Sequence, residues 1–69
     1  MNVIRINGKS EPFTTPCSLE AVLLRRGISK EKKGVAVAYN GSVAQKSEWT
    51  KIEVKPGDQI EIIHAVQGG

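Results

Sequence analysis

Only one stretch of this chain has the spacing of a helix, and that constrains the fold more than any other feature. Ser18 stands where an N-cap is wanted, because its hydroxyl can accept a first-turn N–H, and Glu20 follows near the positive end of the helix dipole. Leu19, Val22 and Leu23 fall at i, i+3 and i+4 and make one apolar stripe. Arg25 and Arg26 occupy the last turn, Gly27 suits a left-handed stop, and Ile28 can pack back on the helix. The spacing predicts a helix of about two turns from Leu19 to about Arg26. Leu24 falls off the stripe, so the buried face should be broad. One short helix cannot cover two sheets, so the remaining apolar residues must share a single sheet with the helix across one face.

The rest of the chain reads as strands and turns. Val3, Ile4 and Ile6 predict a first strand, and Asn7-Gly8 is a hairpin signal because both residues tolerate positive φ. A weaker strand covers Lys9 to Thr14; Pro12 inside it demands an edge position or an irregularity. Val35-Ala36-Val37-Ala38-Tyr39 is apolar at every position, which predicts an inner strand covered on both faces or nearly so. Asn40-Gly41 turns it into a short strand, Ser42 to Ala44. Ser47-Glu48-Trp49-Thr50 reads as a capped single turn, with Trp49 as a plug for the edge of the core. Lys51 to Val54 alternates polar and apolar residues. Pro56 and Gly57 take the centre of a type II turn that leads into a last strand, Gln59 to about Ala65. The first and last strands are both β-branched and should be central. This is an α+β chain with the β-grasp (ubiquitin-like) arrangement, one mixed sheet packed on a single helix. Residues 1–65 form the domain and residues 66–69 a flexible tail. Ile60 and Ile62 share one face of the last strand; if they meet the helix, Ile63 is left on the open face as a candidate docking residue.

Size limits what such a domain can do. A chain of 69 residues buries only about 60% of its unfolded surface, leaving little room for a pocket with walls. The formal charge of +3 comes partly from Lys30-Glu31-Lys32-Lys33 and partly from Arg25-Arg26, and reads as a solvated basic surface. With one Trp, one Tyr and one Phe there is no aromatic cluster on which bases could stack, which argues against nucleic acid as the partner. A single cysteine, Cys17, excludes an internal disulfide and fits a reducing compartment. Asn2 and Arg5 interrupt any signal-peptide pattern, and no apolar run approaches the roughly 18 residues of a membrane span. The expectation is a cytoplasmic protein with no membrane attachment, a monomer that docks transiently.

Catalytic motifs are missing. Cys17 and His64 are the only residues of their kinds and have no metal-site spacing; Cys17 reads as a small half-buried residue and His64 as a strand end. There is no glycine-rich phosphate loop and no Ser/His/Asp set. The chain is not expected to be an enzyme, nor to bind a metal or cofactor of its own. One reactive group is left if Gly69 ends the protein: an α-carboxylate, ionised at neutral pH with a pKa of about 3.3–3.7. It is inert to acyl transfer until an oxygen is given a better leaving group, as in an acyl-adenylate. To reach an α-phosphate inside another protein, the last residues must be slim, and Gly68-Gly69 are the slimmest available.

The tail Ala65-Val66-Gln67-Gly68-Gly69, the turn Pro56-Gly57-Asp58 running into Ile60-Glu61-Ile62-Ile63, and the stretch Val35-Ala36-Val37-Ala38-Tyr39-Asn40-Gly41 together resemble the ThiS family, the small sulfur carriers of thiamine biosynthesis. Ser47-Glu48-Trp49 is similar to that family's turn before its penultimate strand. Members often carry an arginine just ahead of it, where this chain has Gln45-Lys46. The resemblance implies a cycle. A ThiF-like adenylyltransferase would use ATP and Mg2+ to adenylate Gly69. A sulfur donor, a persulfide relayed from a cysteine desulfurase, would displace AMP and leave a thiocarboxylate. That sulfur would pass to a ThiG-like thiazole synthase. Gly69 would carry the sulfur, Gly68 would give slimness, Val66 and Gln67 would line the partner's channel, and Ile63 would belong to the docking face.

Other readings share parts of the pattern. The small subunit of molybdopterin synthase also ends in Gly-Gly, although this chain is short for it. A ubiquitin-like modifier would conjugate Gly69 to lysines. An RNA-binding β-grasp module of the TGS type shares the Pro-Gly-Asp turn but has no need of a terminal Gly-Gly.

Overall fold

The computed structural model describes residues 2–13 and 16–64. Its elements are β1 (Val3–Ile6), β2 (Lys9–Pro12), β3 (Cys17–Ser18), α1 (Leu19–Arg25), β4 (Val35–Tyr39), β5 (Ser42–Val43), a 3-10 turn (Lys46–Glu48), β6 (Glu53–Val54) and β7 (Gln59–His64). Five strands form one mixed sheet in the order β2-β1-β7-β4-β5, with β1 and β7 parallel and the other pairs antiparallel. A single helix on such a sheet is the ubiquitin-type β-grasp fold.

Local chemistry explains each element. The Ser18 hydroxyl accepts from Ala21 N at 3.1 Å and caps α1. At the other end Ile28 N donates to Leu23 O at 2.9 Å and Gly27 N to Leu24 O at 3.0 Å, with Gly27 at φ +79°. These two bonds are a Schellman stop. Both Asn-Gly pairs turn with positive φ at each residue, +53° and +82° at Asn7-Gly8 and +51° and +86° at Asn40-Gly41. Such type I′ turns match the twist of the strands they join. Pro12 sits on the edge strand β2, where its missing N–H breaks no ladder.

The core lies between α1 and one face of the sheet. Ile4, Ile6, Val37, Ile60 and Ile62 point into it from the strands, and Leu19, Val22 and Leu23 from the helix. Trp49 closes one side, 1% exposed, its indole N–H donating to Ala44 O at 3.1 Å. The segment it anchors also receives the start of the helix: Glu20 N donates to Trp49 O and Leu19 N to Ile52 O. Two first-turn donors are thereby paired without water.

The structure corrects the sequence reading in four places. Leu24 is 52% exposed, so the buried face of α1 is the narrow Leu19/Val22/Leu23 stripe. β4 is an inner strand covered on one face only; Ala36 is exposed and Ala38 half-buried. The single turn before Trp49 is capped by Gln45 and Glu48, with Gln45 N donating to Glu48 Oε1 at 3.0 Å, and begins ahead of Ser47. β6 does not join the main sheet. It pairs with β3 in a separate two-stranded ladder, Cys17 opposite Val54 and Ser18 opposite Glu53.

Candidate functional site

The site is built around β7, the central strand. β1 holds it on one side and β4 on the other, the latter in register from Tyr39 opposite Ile60 to Val35 opposite His64. On the β1 side the ladder is prolonged by Asn7. Its backbone N–H donates to Ile60 O at 2.9 Å, and its side-chain Oδ1 accepts from Ile62 N at 2.7 Å. One residue thus makes a turn and secures β7 close to its end. Whatever follows His64 leaves from a strand clamped on both sides. The residues expected to carry chemistry and channel contacts, Val66, Gln67, Gly68 and Gly69, lie outside the described residues.

Ile63 was expected on the open face if Ile60 and Ile62 met the helix. They do: Ile60 is 1% and Ile62 7% exposed, while Ile63 is 59% exposed. Register places Ala36 beside Ile63, and Ala38 between Glu61 and Val43. Val43 is the most exposed large apolar residue among those described. Small alanines on β4 leave a shallow, partly apolar surface between Ile63 and Val43, continuous with the end of β7. Cys17 is half-buried in β3, and His64 is an exposed strand end. No three His, Cys, Asp or Glu residues gather as a metal site among the described residues.

At the opposite end of β7 stands a polar cluster that the sequence reading did not anticipate. The Asp58 carboxylate accepts from the Tyr39 hydroxyl, from Lys55 N at 2.7 Å and from Asn40 Nδ2 at 3.2 Å. Asn40 Oδ1 in turn accepts from Gln59 N at 2.8 Å. Burial works against the charge on Asp58, but the Tyr39, Lys55 and Asn40 hydrogen bonds outweigh it and hold the carboxyl below its usual range. Burial, then the bond to Asp58 and its charge, push the Tyr39 hydroxyl up to about 12. Asn40-Gly41 and Lys55-Pro56-Gly57-Asp58 were each legible as turns. Their meeting was not, because it follows from β4 and β7 being antiparallel neighbours. The cluster staples two turns and fixes the start of β7, so that its far end is placed by both ends of the strand.

The sequence pattern of the ThiS family matches residues 4–69. The chain belongs to the ThiS family. In structure it is similar to the thiamine biosynthesis protein ThiS of Geobacter metallireducens. The crystal structure superposes with a TM-score of 0.79 at 23% identity, covering 97% of this chain and 99% of that one. The solution structure of a thiamine biosynthesis protein from the same organism gives 0.76 at 24%, covering 100% and 88%. At these identities the likeness supports the ubiquitin-type fold. In sequence the chain is similar to part of the thiazole synthase of Paramagnetospirillum magneticum, 34% identical over 64 residues, and to part of that of Magnetococcus marinus, 32% over 66. The match takes in 93% and 96% of this chain but only 19% and 20% of those proteins, so it spans about a fifth of their length. Among the described residues no helix is long and apolar enough to cross a membrane.

Proposed function

We propose that this ThiS-family chain is a sulfur carrier serving thiazole formation in thiamine biosynthesis, a protein cosubstrate of partner enzymes. The observation that carries the reading is the family match, which runs through Gly68 and Gly69. In the proposed cycle a ThiF-like adenylyltransferase, using ATP and Mg2+, directs a Gly69 carboxylate oxygen onto the α-phosphorus and releases pyrophosphate. The terminal sulfur of a persulfide, supplied by a cysteine desulfurase relay, then attacks the acyl carbon and expels AMP. A second thiol reduces the resulting acyl disulfide and frees the thiocarboxylate. Thiazole synthase takes the sulfur, and the carboxylate returns. A cytoplasmic setting, where thiols stay reduced, belongs to the same reading.

The fold suits this work. Binding chemistry is confined to the tail and the surface beside it, while the clamped β7 gives the tail a fixed origin. The partly apolar face around Ile63 supplies a transient docking surface for the partners, and Val66 and Gln67 line their channel. Thiazole synthases that contain a stretch similar to this chain favour thiazole synthase as the acceptor over molybdopterin synthase. Nucleic-acid binding loses ground for a physical reason. Phe13 and Trp49 are buried, which leaves half-buried Tyr39 as a single aromatic and no cluster on which successive bases could stack.

Loading with sulfur tests the proposal. The intact chain is incubated with a ThiF-like enzyme, ATP, Mg2+ and a persulfide donor, then weighed. The expected result is one oxygen exchanged for sulfur, abolished when Gly69 is deleted.

A further inference from the structure

The loop Lys30-Glu31-Lys32-Lys33 looks in sequence like an ordinary solvated surface. Topology gives it a position. Gly34 leads directly from it into Val35, and Val35 faces His64 across the β4–β7 ladder. Adjacent strands lie about 4.8 Å apart, so the loop leads into β4 beside the end of β7 at His64. Lys46 arrives there from the other side: Ala44 N donates to Val37 O at 2.8 Å, and the chain after it runs back along β4 until Lys46 Nζ donates to Lys32 O at 2.9 Å. Lys32 and Lys33 are exposed. The ion pairs among the described residues join Arg26 to Glu11 and Lys30 to Glu20, and none of those residues gives Lys32, Lys33 or Lys46 an acidic partner. Glu31 offsets one of the three.

We propose that Lys32, Lys33 and Lys46 form a basic collar at the origin of the tail, which docks on an acidic protein surface around the mouth of the activating enzyme's channel. This rests on the carrier function proposed above. Reach places the collar at the mouth rather than inside. Five residues follow His64 to Gly69 and span at most about 17 Å when extended, so a tail that delivers its end to ATP leaves the collar on the rim. Two features favour a carboxylate-bearing protein over nucleic acid: the collar lies beside the end of β7 at His64, and no aromatic among the described residues accompanies it. Surface lysines contribute to docking mainly by steering encounter and fixing orientation.

Lys32→Glu/Lys33→Glu tests this against Lys51→Glu/Lys55→Gln, a control set that alters charge near the other end of β4. Sulfur loading by the ThiF-like enzyme is followed at low and at high salt, with circular dichroism to establish folding. The collar variant is expected to raise KM for the carrier roughly tenfold at low salt, with kcat unchanged, and high salt should bring the wild type towards the variant. The control should load like the wild type. Equal KM values for the two variants would overturn the collar while leaving the carrier function intact. So would unchanged loading accompanied by loss of binding to a mixed-sequence RNA oligonucleotide, which would make the patch a nucleic-acid surface. Failure of the wild type itself to load is a separate outcome and counts against both proposals.

Discussion

Tyr39 and Asp58 show how the pairing of two ordinary side chains ties stability to pH in opposite directions. Asp58 is held below its usual range when folded, so its stabilising effect is present above the unfolded value of about 3.9 and is lost as pH falls through the folded pKa. Tyr39 runs the other way. Its hydroxyl is raised from 10.0 to about 12, so its contribution is complete below pH 10 and is lost as pH rises towards 12. Tyr39→Phe should cost about 1 kcal/mol in urea denaturation at pH 7 and flatten the alkaline arm of the stability profile. Ile63 is the contrasting residue: exposed, it holds nothing together. Ile63→Asp should leave stability within about 0.5 kcal/mol of the wild type while raising KM in the sulfur-loading assay. A partner-independent loss of folding would instead make Ile63 structural. The exposure of Ile63 could be read from the alternation of β7, because a period of two admits only two faces. The second duty of Asn7 could not, since its acceptor bond reaches a strand 55 residues away.

At the scale of elements, α1 carries its own boundaries, and both were legible. Ser18→Ala should cost about 1 kcal/mol by removing the cap. Gly27→Ala should cost a similar amount, about 1 kcal/mol, from backbone strain alone, since an added Cβ would meet nothing within 4 Å. Thermal or urea unfolding of the two variants checks both values. Leu24→Gln should be close to neutral, which distinguishes the narrow buried stripe seen in the structure from the broad one that apolar content suggests. The same overreach affected β4. Alanine is apolar enough to suggest burial and small enough to sit at a surface, and only the sheet's position decides between them. The β3–β6 ladder escaped notice because two-residue strands are too short to show a period. Its partners were also divided between a helix approach and an alternating segment.

For the molecule as a whole, a small core must hold β7 between its neighbours, and Trp49 is the largest fully buried side chain of that core. Trp49→Ala should remove about 3–5 kcal/mol, comparable with the whole stability of a domain this small, and a largely unfolded protein by circular dichroism is the expected outcome. The β-grasp arrangement was legible from one helix, two Asn-Gly turns and two β-branched strands. The candidate site was legible only in part. The chemistry proposed for it rests on Gly68-Gly69, which the sequence displays directly, whereas the position proposed for the lysine loop comes from sheet order. All of it converges on the claim that this ThiS-family chain carries sulfur at Gly69. The most direct measurement is the intact mass of the chain after reaction with a ThiF-like enzyme, ATP, Mg2+ and a persulfide donor. A gain equal to one oxygen replaced by sulfur, absent without Gly69, is the predicted result; an unchanged mass with an enzyme that loads another ThiS-family chain under the same conditions would contradict it.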